Sequence, residues 1–175
     1  MKPIRIALLL ITGLALFSVV HGRSGLQRAE AQAVSGQLQM PDRTLTPGAI
    51  SSSDPAVVCA YGYAKTQRPP YDYRWRRFRA SVFAAYGIPH ERWPEYTIDH
   101  LVPLEVGGAG IDLRNVWPEP RAEAKRKDEV EDALHQAVCY DHTMTLRDAQ
   151  AAVARDWTHT PVGLPALREH HYSQE

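Results

Sequence analysis

Asp99 and His100 are adjacent side chains of the types that acid–base chemistry on a water molecule requires. Hydrolysis of a phosphodiester needs a base to deprotonate water, a cation to neutralise charge on the leaving oxygen, and a group that orients the base. On an extended segment neighbouring side chains point to opposite sides. One member of the pair can then bind a metal while the other faces the water. Asn115 returns after the glycine turn at Gly107-Gly108 and can hydrogen-bond the imidazole or its backbone. A side chain on the segment after Pro120 can close the metal site. Each residue also has a plainer reading: Asp99-His100 as a turn pair, Asn115 as a turn residue, Glu105 as half of a structural salt bridge, and His135 as a core histidine.

The elements that must position these residues follow from the apolar pattern. Tyr96 to His100 reads as a short strand and Val116-Trp117 as a second, with Gly107, Gly108 and Gly110 marking the turn between them. Pro118 and Pro120 precede a long polar helix expected from about Arg121 to Cys139, with Val130, Leu134, Ala137 and Val138 as its apolar stripe. Upstream, Trp75, Phe78, Val82 and Tyr86 fall at helical spacing, and Gly87 is a natural stop. The alternating aromatics after Cys59 suggest an extended segment ended by Pro69-Pro70. Thr145 suits the cap of a last helix carrying Leu146, Ala149, Val153 and Trp157 on one side.

This order of residues resembles a known family. Asp-His, a proline three positions on, a Gly-Gly turn, then Asn and a helix is the pattern of HNH nucleases with the ββα-metal fold. The longer run resembles a subgroup of exported bacterial HNH-like proteins. It extends from Cys59-x-x-Gly62-Tyr63 and Arg68-Pro69-Pro70 through Asp99-His100-Leu101-x-Pro103-Leu104-Glu105-x-Gly107-Gly108 to Asn115-x-Trp117-Pro118-x-Pro120. It continues as Lys127-Asp128-x-x-Glu131-x-x-Leu134-His135-x-x-Val138-Cys139 and closes on Ala149-Gln150 and Asp156-Trp157, so the resemblance covers about residues 56–157.

The resemblance implies His100 as general base, Asp99 as metal ligand and Asn115 as the residue orienting the base. It implies a metal-dependent endonuclease cutting DNA, with RNA as a further candidate substrate, and with little sequence preference. The helix histidine that many HNH nucleases carry eight or nine positions after the Asn is missing. Glu123 occupies that spacing, in line with Lys127, Val130 and Leu134; Asp128 groups with Glu131 and His135 on an adjacent face. Asp128 is the preferred second ligand, because the recurring Lys-Asp pair constrains it, and Glu123 the alternative. Carboxylate ligands suit Mg²⁺ or Mn²⁺ better than the Zn²⁺ or Ni²⁺ of His-rich sites. The missing histidine also supports a competing expectation: a catalytically inactive HNH-derived scaffold serving as a cell-envelope binding module.

Two basic groups are candidates for holding nucleic acid. Arg121, Lys125 and Arg126 at the helix start lie nearer the expected scissile phosphate. Lys65, Arg68, Arg74, Arg76, Arg77 and Arg79 stand against the single acid Asp72, with Tyr71, Tyr73 and Trp75 interleaved. That stretch suits a phosphate backbone with aromatics for unpaired bases, or equally a solvated helix face with core aromatics.

Lys2 and Arg5 followed by the apolar run Ile6 to Val20 read as a secretory signal peptide, with cleavage expected after Ala33. An uncleaved amino-terminal anchor is the alternative. Residues 1–33 hold four basic residues and one acid, leaving 16 basic and 19 acidic side chains in a mildly acidic remainder. Overall charge therefore gives no sign of nucleic-acid binding. Export to the periplasm or exterior favours a disulfide between the two cysteines, Cys59 and Cys139. The expected organisation is signal peptide 1–33, flexible lead-in 34–58, one small α+β domain 59–157 and a loose tail 158–175. The domain is expected to have a ββα core, extra helices on both sides and one disulfide.

Overall fold

The computed structural model describes residues 38–160 apart from 69 and 71. The expected signal peptide and most of the expected tail lie outside the described residues. Two antiparallel strands, β1 (Tyr96–His100) and β2 (Val116–Pro120), form a hairpin whose register pairs Asp99 with Trp117 and Thr97 with Glu119. β2 runs on through both prolines instead of stopping before them. Val116, Pro118 and Pro120 share one phase of the ladder, and the Val116 N–H is bonded to the Asp112 carbonyl. Prolines lack an N–H, so they are tolerated where the ladder asks for none.

Among the described residues, five α-helices surround the hairpin. α1 (Pro55–Val58) starts where Asp54 accepts the Ala56 N–H and Pro55 fills the first position. α2 (Tyr63–Gln67) ends at Arg68, whose ψ of 126° is the extended geometry imposed on a residue before proline. The segment after Cys59, expected to be extended, is therefore helical: the alternation of Tyr61 and Tyr63 did not report a buried strand face, since Tyr61 is fully exposed. α3 (Tyr73–Ala85) is capped by Asp72, which accepts the Arg74 and Trp75 N–H groups, and it stops just before Gly87 at φ +65°.

α4 (Arg121–His135) continues into a π-helical turn at Gln136–Tyr140. α5 (Leu146–Asp156) begins at Thr145, whose hydroxyl accepts the Asp148 N–H, as the sequence predicts. The Cys59–Cys139 disulfide joins the end of α1 to the end of α4 across 80 residues. Among the described residues, no helix is long and apolar enough to cross a membrane.

The larger core packs Leu101, Val102 and Val106 against Val130, Leu134, Val138, Val153 and the fully buried Trp157. A smaller cluster joins Phe83, Ile88 and Tyr96 on the other side. The segment expected to be a flexible lead-in is, from residue 38 on, part of this packing. Trp157 Nε1 donates to the Gln39 carbonyl at 2.8 Å, Leu38 and Met40 pack on the core, and Ile50 bridges Gly108. Polar composition concealed this, because the segment docks mainly through backbone groups.

Candidate functional site

Asp99 and His100 close β1, and strand alternation sends them to opposite faces as expected. Asp99 shares its face with Trp117 and Glu119, toward α4; His100 shares its face with Ile98 and Pro118. Both nevertheless border one cavity of about 270 Å³, walled also by Glu119 from β2, Asp128 and Glu131 from α4, and Arg68.

The His100 ring is held by a backbone carbonyl: its Nε2 lies 2.9 Å from Gly110 O. A carbonyl only accepts, so this bond places the proton on Nε2 and leaves Nδ1 with the lone pair. Burial lowers the imidazole pKa below its ordinary value, against the opposing pull of the Gly110 carbonyl and the Asp99 charge. A neutral ring with a free basic nitrogen is the protonation state a general base needs.

Asn115, expected to bond the imidazole or its backbone, instead ties the intervening loop together. Its Oδ1 accepts Val102 N–H at 2.9 Å, and its Nδ2 donates to Val102 O at 2.9 Å and Ala109 O at 3.0 Å. It is fully buried. Asn115 thus fixes the loop next to Gly110, and the ring is oriented at one remove. The adjoining Gly-Gly pair is required by the same closeness. Gly107 sits at φ +86°, and a Cβ on Gly108 would collide with Val102 O and the Asn115 side chain.

Lys127 organises the other side. It has no exposed surface, and its Nζ lies 3.2 Å from Asp99 Oδ2 and 2.6 Å from Glu131 Oε1 while donating to His100 O at 2.9 Å. Burial pushes its pKa down, but Asp99, Glu131 and Glu119 more than offset this and hold it above the usual lysine value. One ammonium serving three carboxylates leaves a surplus of acid. Glu119, 1% exposed, is pushed up to about 9, first by burial and then by the Asp99 charge. Burial likewise raises Glu131. At neutral pH Glu119 is protonated beside an Asp99–Lys127 ion pair.

Of the two helix carboxylates expected to complete a metal site, the structure brings one to the cavity. Asp128 lines it, with its pKa raised by burial and then by facing Asp99. Glu123 is buried on the inward stripe, as its spacing predicts, but its Oε2 accepts the Gln39 N–H at 2.6 Å, so it anchors the amino-terminal segment. The expected phosphate-binding residues also divide. Arg121 Nε donates to the Pro94 carbonyl, Arg126 pairs with Glu129 at 3.1 Å, and neither they nor Lys125 line the cavity; Arg68 and Trp75 do.

The donor set is made of carboxylates, which suit a hard divalent ion; the buried Glu119 Oε1 lacks a hydrogen-bond partner, and Asp99 Oδ2 is engaged by the Lys127 ammonium. Among the described residues no three His, Cys, Asp or Glu are gathered tightly enough to hold an ion by themselves. A Mg²⁺-type ion needs less, since it is commonly held by one or two carboxylates and completed by water and substrate phosphate.

Glu119, Lys127, Glu131 and Gly110 were not assigned chemistry from the sequence. Lys127 carried a signal: a cation on the apolar stripe of α4 must be paired, and Glu131 stands four residues on. Glu119 carried none, since only strand register turns it toward Asp99. Compared with family models, with curated proteins and with solved structures, the chain matches none.

Proposed function

We propose that this chain is a metal-dependent endonuclease of the HNH, or ββα-metal, type, exported from a bacterial cell and hydrolysing phosphodiester bonds of DNA, with RNA as a further candidate substrate. One observation carries the reading: a β-hairpin followed directly by a packed helix sets Asp99, His100 and Asp128 around one cavity. The intramolecular disulfide is compatible with an oxidising, extracytoplasmic location.

In this reading His100 Nδ1 takes the proton of a water that attacks phosphorus in line with the leaving oxygen. Gly110 O keeps the proton on Nε2, so the imidazole presents the correct tautomer. Asp99 and Asp128 would hold Mg²⁺ or Mn²⁺, which supplies charge stabilisation at the phosphate and leaving oxygen. Lys127 and Asn115 act as positioning residues. The first holds the Asp99 carboxylate and the His100 carbonyl, and the second holds the loop that carries Gly110.

The second reading, an inactive envelope-binding scaffold, is favoured by the same Lys127–Asp99 pair, which already neutralises the expected metal ligand. Cutting by the parent chain separates the two, and His100→Ala tests the base. The nuclease reading expects cutting to vanish with folding and nucleic-acid binding retained; parent-like cutting by the variant removes His100 as the base.

A further inference from the structure

Part of the cavity wall comes from a stretch of the chain remote in sequence from the hairpin and α4. Arg68 ends α2, Trp75 lies in the first turn of α3, and both border the cavity with His100. Their placement is coupled to the base. Gly110, whose carbonyl holds the His100 ring, lies so close to the Gln67 carbonyl that a Cβ would collide with it. Only a residue without a side chain permits this seating, and it fixes the backbone leading into Arg68.

Asp99, Glu105, Glu119, Asp128 and Glu131 make the cavity lining acidic, and Arg68 is the one arginine or lysine among the described residues of that lining. Its side chain is 68% exposed and its pairing with Glu105 is long, at 3.5 Å. Such a pair is readily exchanged for a phosphate. Exposed Arg74, Arg76 and Arg77 of α3 extend the positive surface away from it. At about 270 Å³ the cavity falls just under the roughly 300–1,000 Å³ of pockets that take drug-sized ligands, room for one nucleotide unit of a polymer.

On these observations we propose that Arg68 and Trp75 form a subsite for an unpaired nucleotide next to the scissile phosphate, so that the substrate is single-stranded nucleic acid. The inference rests on the nuclease reading. Arg68 receives the neighbouring phosphate, and the Trp75 indole stacks on its base. Stacking of this kind is indifferent to sequence and requires a base face that a duplex hides.

The test uses the oxidised protein in chelator, with a fluorescein-labelled oligothymidylate and the same strand annealed to its complement. Anisotropy reports binding, and tryptophan fluorescence reports contact with the indole. The expected result is at least about tenfold tighter binding of the single strand, lost in Trp75→Ala and largely kept in Trp75→Phe. Arg68→Ala, on an exposed side chain, should weaken binding and lower the salt slope by about 0.7. Equal or tighter binding of the duplex, or unchanged single-strand affinity in both Trp75→Ala and Arg68→Ala, overturns the subsite while the nuclease reading stands. Absence of binding to either form, together with absence of cutting of either form under Mg²⁺ or Mn²⁺, overturns both.

Discussion

Replacing Lys127 by Met keeps the length of the side chain and removes the one cation that, among the described residues, contacts both Asp99 and Glu131. In the folded chain Nζ stands 2.6 Å from Glu131 Oε1, 3.2 Å from Asp99 Oδ2 and 2.9 Å from His100 O, with the side chain wholly buried. Removing one partner of a buried pair costs about 3–5 kcal/mol, because the remaining charge has no compensation. That is a large share of the roughly 5–15 kcal/mol that separates folded from unfolded chains. The orphaned carboxylates can escape by taking up protons, and each unit by which their pKa rises corresponds to about 1.4 kcal/mol. The folded variant then binds more protons than its unfolded chain, so its stability falls as pH rises. Urea unfolding of oxidised protein, followed by tryptophan fluorescence, should show a loss of about 3–5 kcal/mol at pH 7.5 and a loss smaller by about 1 kcal/mol or more at pH 5. In a Glu131→Gln background the same replacement should cost less, since one dependent charge is gone. A loss under about 1 kcal/mol at both pH values, as for a solvated surface pair, would refute the buried network and its role in holding Asp99 and His100.

Other consequences follow from single contacts. Glu119, pushed up to about 9, keeps a proton that the unfolded chain releases near 4.5. Stability should therefore decline between those pH values by up to about 1.4 kcal/mol per pH unit, and Glu119→Gln should flatten that slope by about one proton; an unchanged slope contradicts the assignment. Asn115→Ala removes three hydrogen bonds, two of them buried, and should cost about 3 kcal/mol in chemical denaturation; a cost below about 1 kcal/mol would show that the loop does not depend on it. Cys59→Ser/Cys139→Ser should lose about 2–5 kcal/mol relative to the oxidised parent, read by thermal unfolding, and its midpoint should match that of the reduced parent.

What the sequence made legible was local. Thr145 as a helix cap, Gly87 as a stop, the strand at Tyr96–His100 and the inward stripe of α4 each follow from rules that act within a few residues. The disulfide followed from compartment and count. What escaped was set by contacts distant in sequence. Glu123 has the spacing of a ligand, yet the Gln39 backbone, 84 residues away, claims its carboxylate. The 38–58 segment looks like a linker until Trp157 reaches back to the Gln39 carbonyl. Arg121 and Arg126 lie nearer the site in sequence than Arg68, but helix phase turns them to Pro94 and Glu129. Asn115 stood at the expected position with a different set of partners, because the loop it closes has three backbone groups for it to satisfy.

Cutting of supercoiled plasmid and of single-stranded DNA by the oxidised chain lacking residues 1–33 tests the central claim most directly, run with Mg²⁺, with Mn²⁺ and with chelator, beside His100→Ala. The account predicts cutting with either metal, none in chelator and none in the variant. Cutting that persists in chelator or in His100→Ala, or a folded parent that leaves plasmid, single-stranded DNA and RNA intact with both metals, would contradict it.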